Sequence, residues 1–237
     1  MIDTHCHLLP RVDDGPRTDA ESLRLARRLL EEGVTTVVCT PHFSEQFPTP
    51  SLLARERHDE LRRELDVLEI ELETTLAAEV SVGLALRTPL ARLRVRSLAG
   101  RFLLVELVGD TPPPAALAVA ERLAEAELVP IVAHPERCRA VQLDPTLLDE
   151  ARAAGALVQV VAPSLAGRWG DSVWNTGWQL VETGRADLLA SDAHRVSASS
   201  PQFAAVAALV ETRCGRERRE ELTETGPRRL LDAAAAA

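Results

Sequence analysis

Hydrophobic positions along the chain fall in short β-branched runs, separated by longer Leu/Ala/Arg/Glu segments with helical spacing. The runs near 2–6, 34–40, 70–79, 101–107, 128–134, 156–162 and 186–192 read as strands. Between them, helices are predicted near 19–32, 51–66, 114–127, 145–154, 172–184 and 201–213, with 84–99 a weaker, proline-interrupted helix. Thr18-Asp19-Ala20-Glu21 is a capping box that opens the first helix after a Gly15-Pro16 turn. Gly33, Gly155 and Gly184 each sit where a helix should close. Seven strands, each followed by a helix, predict an α/β fold of the TIM-like barrel type rather than a doubly wound sheet. The 237 residues suit one such domain, 1–237, with the Ala233–Ala237 tail expected to fray.

Chemistry-bearing residues gather at the ends of these strands. Five of the six histidines lie there: His5 and His7 from MIDTHCH, His42 from VVCTPH, His134 from VPIVAH and His194 from LLASDAH. Glu79, Glu106 and Asp192 share that position, and Asp14 lies in the loop after the first strand. Strand ends in a parallel barrel open on one face, so these side chains are expected to converge as a metal site. Alternation puts Asp3 beside His5 and His7, placed to accept the spare N–H of a ligating ring. A lone strand histidine is more often a core residue, but the same placement recurs on six of the seven strands. Glu79 and Glu106 in apolar runs would be costly unless bound to a cation or paired with an arginine. Nine candidates exceed the needs of one ion; two or three ions bridged by a shared carboxylate fit the count.

Other features narrow the picture. The net charge of −9, with 3% aromatics and no tyrosine, argues against nucleic-acid binding. No apolar run spans a bilayer and no leader pattern opens the chain, so a cytoplasmic protein without membrane insertion is expected. Cys6, Cys39, Cys138 and Cys214 form no Cys-x-x-Cys pair, and none precedes an arginine at the spacing of a thiol-phosphatase loop. Neither a Gly-x-Gly-x-x-Gly nor a Walker loop is present, so a nucleotide cofactor is unsupported. His58, in the polar RERHDELRREL, reads as a surface residue, as do Glu69, Glu71 and Glu73. Trp174 and Trp178 are expected either in a core or at the pocket mouth.

The segments IDTHCHLLPRVDDGP, CTPHF, AEV, VELVGDTPP, IVAHPERC and ASDAH occur in the order of the PHP (polymerase and histidinol phosphatase) superfamily. The HxH and DDGP opening with AHPER more narrowly resembles the bacterial protein-tyrosine phosphatases of the CpsB/YwqE/CapC type, from Met1 to about Leu231. That resemblance implies a distorted (β/α)7 PHP barrel, a trinuclear manganese site and a link to capsule or exopolysaccharide control. It implies His5, His7, Glu79 and Asp192 on a first ion, and Glu79, Glu106 and His134 on a second. Asp14 (or its neighbour Asp13), His42 and His194 would hold the third, and Arg137 would meet the phosphate. The substrate it implies is a phosphotyrosine protein, such as the tail of a bacterial tyrosine kinase. The chain departs from the family at His42-Phe43, at Gln159-Val160-Val161, at Ser199-Ser200 where an arginine is usual before Pro201, and at Gly226-Pro227-Arg228-Arg229. Arg168 or Arg195 would have to stand in for the missing arginine.

A hydroxide bridging two ions at Glu79 is the expected nucleophile, attacking phosphorus in line while Arg137 neutralises phosphoryl oxygens. A tyrosine oxygen, of pKa about 10, leaves more readily than a serine alkoxide, which suits a site without a strong acid. The ligands alone accept Mn, Fe or Zn. Alternatives are a PHP phosphatase of a small metabolite such as histidinol phosphate, a TatD-like nuclease, and a catalytically silent metal-stabilised scaffold. A dinuclear amidohydrolase is disfavoured because the chain has no lysine to carbamylate.

Overall fold

The computed structural model describes residues 1–107, 111, 114–197 and 202–235. Among these, nine strand segments form: β1 (Ile2–Cys6), β2 (Thr36–Cys39), β3 (His42–Phe43), β4 (Glu73–Leu76), β5 (Glu79–Ser81), β6 (Phe102–Glu106), β7 (Val129–Ala133), β8 (Leu157–Val161) and β9 (Leu188–Ala190). They pair, always parallel, as β1-β2-β4 and as β3-β5-β6-β7-β8-β9.

Two expected strands depart from their predicted bounds. The 34–40 run forms β2 and stops before Pro41, which offers no N–H to a ladder, and β3 follows at His42–Phe43, beyond the expected strand. The 70–79 run stops at Ala77-Ala78 and resumes as β5. The halves stay alongside each other, because Ala77 N donates to the Cys39 carbonyl (2.9 Å) and Glu79 N to that of Pro41 (3.2 Å). Counted this way, seven strands run in one parallel circuit. Its two ends meet through a single Cys6–Ala193 bridge, with His7 N on the Ala193 carbonyl and Asp192 N on that of His5, both 2.9 Å. The expected α/β, TIM-like architecture is present in this distorted form, and all strand C-termini share one rim.

Strand periodicity divides the core. Leu104, Ile131 and Leu188 cluster with Val38, Ala133 and Leu230, while Leu103 and Val105 face the other way onto Val119 and Leu123. Glu106, two residues beyond Leu104, is thereby aimed to the inner side at the rim. The helix Asp19–Glu31 buries Ser22, Leu25, Ala26 and Leu29, an i, i+3, i+4, i+7 stripe. Thr18 caps it by accepting from Glu21 N, although the Glu21 carboxylate reaches Arg17 N rather than Thr18 N as a full capping box would. Gly33, Gly155 and Gly184 follow helices with φ of 79°, 95° and 73°.

The 84–99 segment is two helices, Val82–Arg87 and Leu90–Arg94, divided before Pro89. The 145–154 helix opens as a 3-10 turn, and the last expected helix is Phe203–Cys214. Its predicted start at 201, and the Ser199, Ser200 and Pro201 departure, lie outside the described residues. The tail expected to fray is helical through Ala235, in Gly226–Ala235, and Leu230 anchors that helix in the inner cluster; residues 236–237 lie outside the described residues.

Candidate metal centre

The loop after β1 sets the site's first corner. Asp13 Oδ1 accepts Gly15 N (2.9 Å), while its Oδ2 takes the His7 Nδ1 proton (2.7 Å) and His42 N (2.9 Å). A side chain at Gly15 would put a Cβ 2.5 Å from the His7 carbonyl, so the turn can fold back on β1 only with glycine there. With Asp13 committed inward, Asp14 faces the cleft.

Asp3 does not do what alternation suggests. A register shift between Asp3 and Cys6 intervenes, and its Oδ1 accepts the backbone N–H of His5 (3.2 Å) and of Ser191 (2.9 Å). Its Oδ2 accepts the Ser191 hydroxyl. Asp3 thus ties β1 to the segment after β9; burial lifts its pKa to about 6 against the pull of those hydrogen bonds. The His5 ring is held by Gln159 instead, with Nδ1 2.9 Å from Oε1, and Gln159 Nε2 donates to Thr4 Oγ1 (2.8 Å). Gln159 was not expected as a site residue; a fully buried glutamine inside the apolar LVQVV was the available signal.

All nine expected ligands come together. His5 Nε2 lies 3.2 Å from His7 Nε2, 3.4 Å from Glu79 Oε2 and 3.4 Å from Asp192 Oδ1. His7 Nε2 lies 3.3 Å from Glu79 Oε2 and 3.6 Å from Asp192 Oδ1. Ligand atoms bonded to one cation at about 2.1 Å sit roughly 3.0–3.5 Å apart, so the four outline a coordination shell. On its other side Glu79 Oε1 meets His134 Nε2 at 2.9 Å, with Glu106 Oε1 4.0 Å from that nitrogen. Asp14 Oδ1 lies 3.3 Å from His194 Nε2 and 3.6 Å from His42 Nε2, while His42 Nδ1 is 2.9 Å from Glu79 Oε2.

The donor chemistry fits cations. Gln159, Asp13 and the Asp192 carbonyl engage the Nδ1 atoms of His5, His7 and His194, and each accepts a proton. That leaves the three Nε2 lone pairs aimed at the shared space, the tautomer that metal-binding imidazoles require. Glu79 is 1% exposed, and its Oε2 has nitrogens of His42, His7 and His5 at 2.9, 3.3 and 3.4 Å with no well-aligned N–H donor among them. A carboxylate so buried and so little bonded is stable only beside positive charge. Burial would raise its pKa, but His5, His134 and His42 hold it well below the carboxylate range. In turn, burial would lower His5, but the Glu79 and Asp192 charges outweigh it and raise that pKa. His7 is raised for the same reason by Asp13 and Glu79.

His134 and Asp192 adopt left-handed backbone, φ 33° and 49°, conformations that cost energy outside glycine. Each is fixed by its N–H, on the Gln159 and His5 carbonyls respectively.

The site opens into a cleft of about 690 Å³, also lined by Arg137, Arg168, Arg195, Phe47 and Trp169. Arg137 donates to Asp192 Oδ2 at 3.1 Å. Arg195 donates to the carbonyls of Gly15 and Asp14, bracing the loop. Trp178 is buried with its N–H on the Leu165 carbonyl and Trp174 packs against the same core, so neither walls the mouth; Trp169 does. His58 is buried, not a surface residue, with Nε2 3.1 Å from Thr74 Oγ1. Glu69, Glu71 and Glu73 are exposed as expected. Cys6, Cys39 and Cys138 are buried and unpaired, and burial drives the Cys6 and Cys39 thiols far from ionisation.

Residues 1–232 match the family described as capsular polysaccharide synthesis, CpsB/CapC. The tyrosine-protein phosphatase YwqE of Bacillus subtilis (strain 168) is 31% identical over 226 residues, 94% of this chain and 89% of that protein. A crystal structure from work on YwqE of Bacillus subtilis and CpsB of Streptococcus pneumoniae, described as unique metal-dependent tyrosine phosphatases, superposes with a TM-score of 0.87. It covers 98% of this chain and 95% of that one at 31% identity. Histidinol phosphate phosphatase of Lactococcus lactis, at 12% identity and a TM-score of 0.55 over 98% and 93% of the two chains, shares the fold alone.

Proposed function

The chain belongs to the CpsB/CapC family of capsular polysaccharide synthesis, and from that premise we propose how it works as a metal-dependent protein-tyrosine phosphatase. The observation that carries the reading is Glu79, a buried carboxylate whose Oε2 lies within 3.4 Å of three imidazole nitrogens with no well-aligned N–H donor. His5, His7, Glu79 and Asp192 would hold one cation; Glu79, Glu106 and His134 a second; Asp14, His42 and His194 a third. Manganese is the resident metal we infer. Bound there, divalent cations supply Lewis-acid polarisation of the phosphoryl group and activation of water.

The chain's own residues do the rest. Gln159 and Asp13 keep His5 and His7 in the Nε2-open tautomer, so the ligands are ordered before substrate arrives. Arg137, anchored by one nitrogen to Asp192, presents the remainder of its fork at the cleft, suited to paired phosphate oxygens. With the Cys6 and Cys39 thiols buried and protonated, no thiol–phosphate intermediate is needed. The leaving tyrosine oxygen, of pKa about 10, needs little help from an acid.

We take 1–237 as one phosphatase domain, acting in the cytoplasm on a phosphotyrosine protein, with the tyrosine-rich tail of a bacterial tyrosine kinase the favoured substrate and capsule or exopolysaccharide control the setting. No helix among the described residues is long and apolar enough to cross a membrane. The test is to strip the protein with chelator, restore Mn, Fe or Zn singly, and compare a phosphotyrosine peptide with histidinol phosphate. Manganese-restored protein should turn over the peptide at least about tenfold more efficiently. Preference for histidinol phosphate, or activity indifferent to chelation, would refute the reading.

A further inference from the structure

Trp169 is the feature of the cleft that metal binding leaves unexplained. The chain is poor in aromatics, with three tryptophans and no tyrosine. Trp178 is core and Trp174 packs against that core, yet Trp169 is 45% exposed and borders the same cleft as the ligands. Single exposed apolar side chains are ordinary on this surface, but Trp169 differs from Leu52, Val67 and Leu143 in lining the cleft that holds the candidate ligands. It is not needed merely to hold Arg137, which Asp192 already anchors. Arg137 and Arg168 do lie over the indole, their guanidinium carbons 4.9 and 5.0 Å from its ring. Among the described residues Arg168 has no carboxylate partner, so its charge is free for an anion.

We propose that Trp169 is the specificity-determining residue of this site: its exposed indole packs against the phenyl ring of phosphotyrosine, while the guanidinium groups it gathers face the phosphate. This deepens the phosphatase reading and rests on it. Stacked or edge-on aromatic pairs add a modest, geometry-dependent attraction that an alkyl phosphoester cannot collect. Preference for aryl esters then comes from a side chain at the rim, separate from the ligand set that every phosphoester would use.

The experiment uses the manganese-restored 237-residue protein carrying Trp169→Ala or Trp169→Phe. For a phosphotyrosine peptide, Trp169→Ala should raise KM by about tenfold with a smaller loss in kcat, and Trp169→Phe should recover most of it. The inhibition constant of inorganic phosphate, which has no ring, should move by less than about twofold. A peptide bearing the non-hydrolysable phosphonomethyl-phenylalanine should quench tryptophan emission in the wild-type protein but not in Trp169→Phe, with binding to both retained by calorimetry. If phosphate inhibition weakens in step with KM, Trp169 acts only through the arginines and the proposal is wrong. It is also wrong if neither constant moves. Wild-type protein inert toward phosphotyrosine would instead bring down the phosphatase reading itself.

Discussion

His58 and His5 are both buried histidines, and they lead opposite lives. His58 belongs to the helix Ser51–Val67, on the stripe Ala54, His58, Leu61 and Leu65, and touches one hydroxyl, Thr74. Burial, reinforced by Arg62, pushes its pKa down, so it is a neutral core residue. His5 meets Glu79 and Asp192 with one nitrogen and Gln159 with the other, and its pKa is driven up. Burial therefore says nothing by itself about function. What separates the two regions is whether the free lone pair faces carboxylates or packing.

The sharpest way to break that contrast is Glu79→Gln. It keeps the shape but removes the charge three imidazoles share, and should lower phosphotyrosine turnover by about 10³-fold with loss of bound metal, measured by steady-state kinetics and elemental analysis. Chelation comes next. Removing cations present at about 100 times their Kd should cost the wild-type protein about 3 kcal/mol per occupied site in a denaturant melt, and Glu79→Gln far less.

Asp13→Asn and Gln159→Leu act one bond further out. Each should weaken metal binding by 10–100-fold while the far-ultraviolet spectrum holds; unchanged affinity would show the Nδ1 contacts to be incidental. The smallest effect belongs to His58→Leu, which should leave metal content alone and change stability at pH 7.5 by about 1 kcal/mol. Its pH signature has a definite sign. The folded pKa lies below the unfolded value of about 6.5, so the unfolded chain binds more protons in acid. His58 therefore costs the wild-type protein stability as pH falls below about 6.5, and the leucine variant should lose less over that range.

The same contrast explains what could be read from the chain alone. The convergence of the nine candidate ligands was legible because a parallel barrel converts strand ends into one rim, so the placement of Glu106 and His134 needed no knowledge of contacts. The break at Ala77-Ala78 carries no signal, since the apolar run continues through it, and the two-residue β3 is too short to show a period of its own. Alternation failed at Asp3, where β1 shifts register before Cys6 and Ser191, nearly the whole chain away, takes the carboxylate. His58 reads as a surface residue from the polar composition of RERHDELRREL, but the 54, 58, 61, 65 spacing carries a helical stripe that buries it. Trp169 carries no pattern at all; only the folded rim shows that it borders the cleft.

The central claim is that this rim is a multinuclear metal centre organised by Glu79. Elemental analysis of the purified, folded protein beside Glu79→Gln tests it most directly. More than one equivalent of divalent metal should be bound in the wild-type protein, most of it lost in the variant. One equivalent or none, unchanged by the substitution, would contradict it.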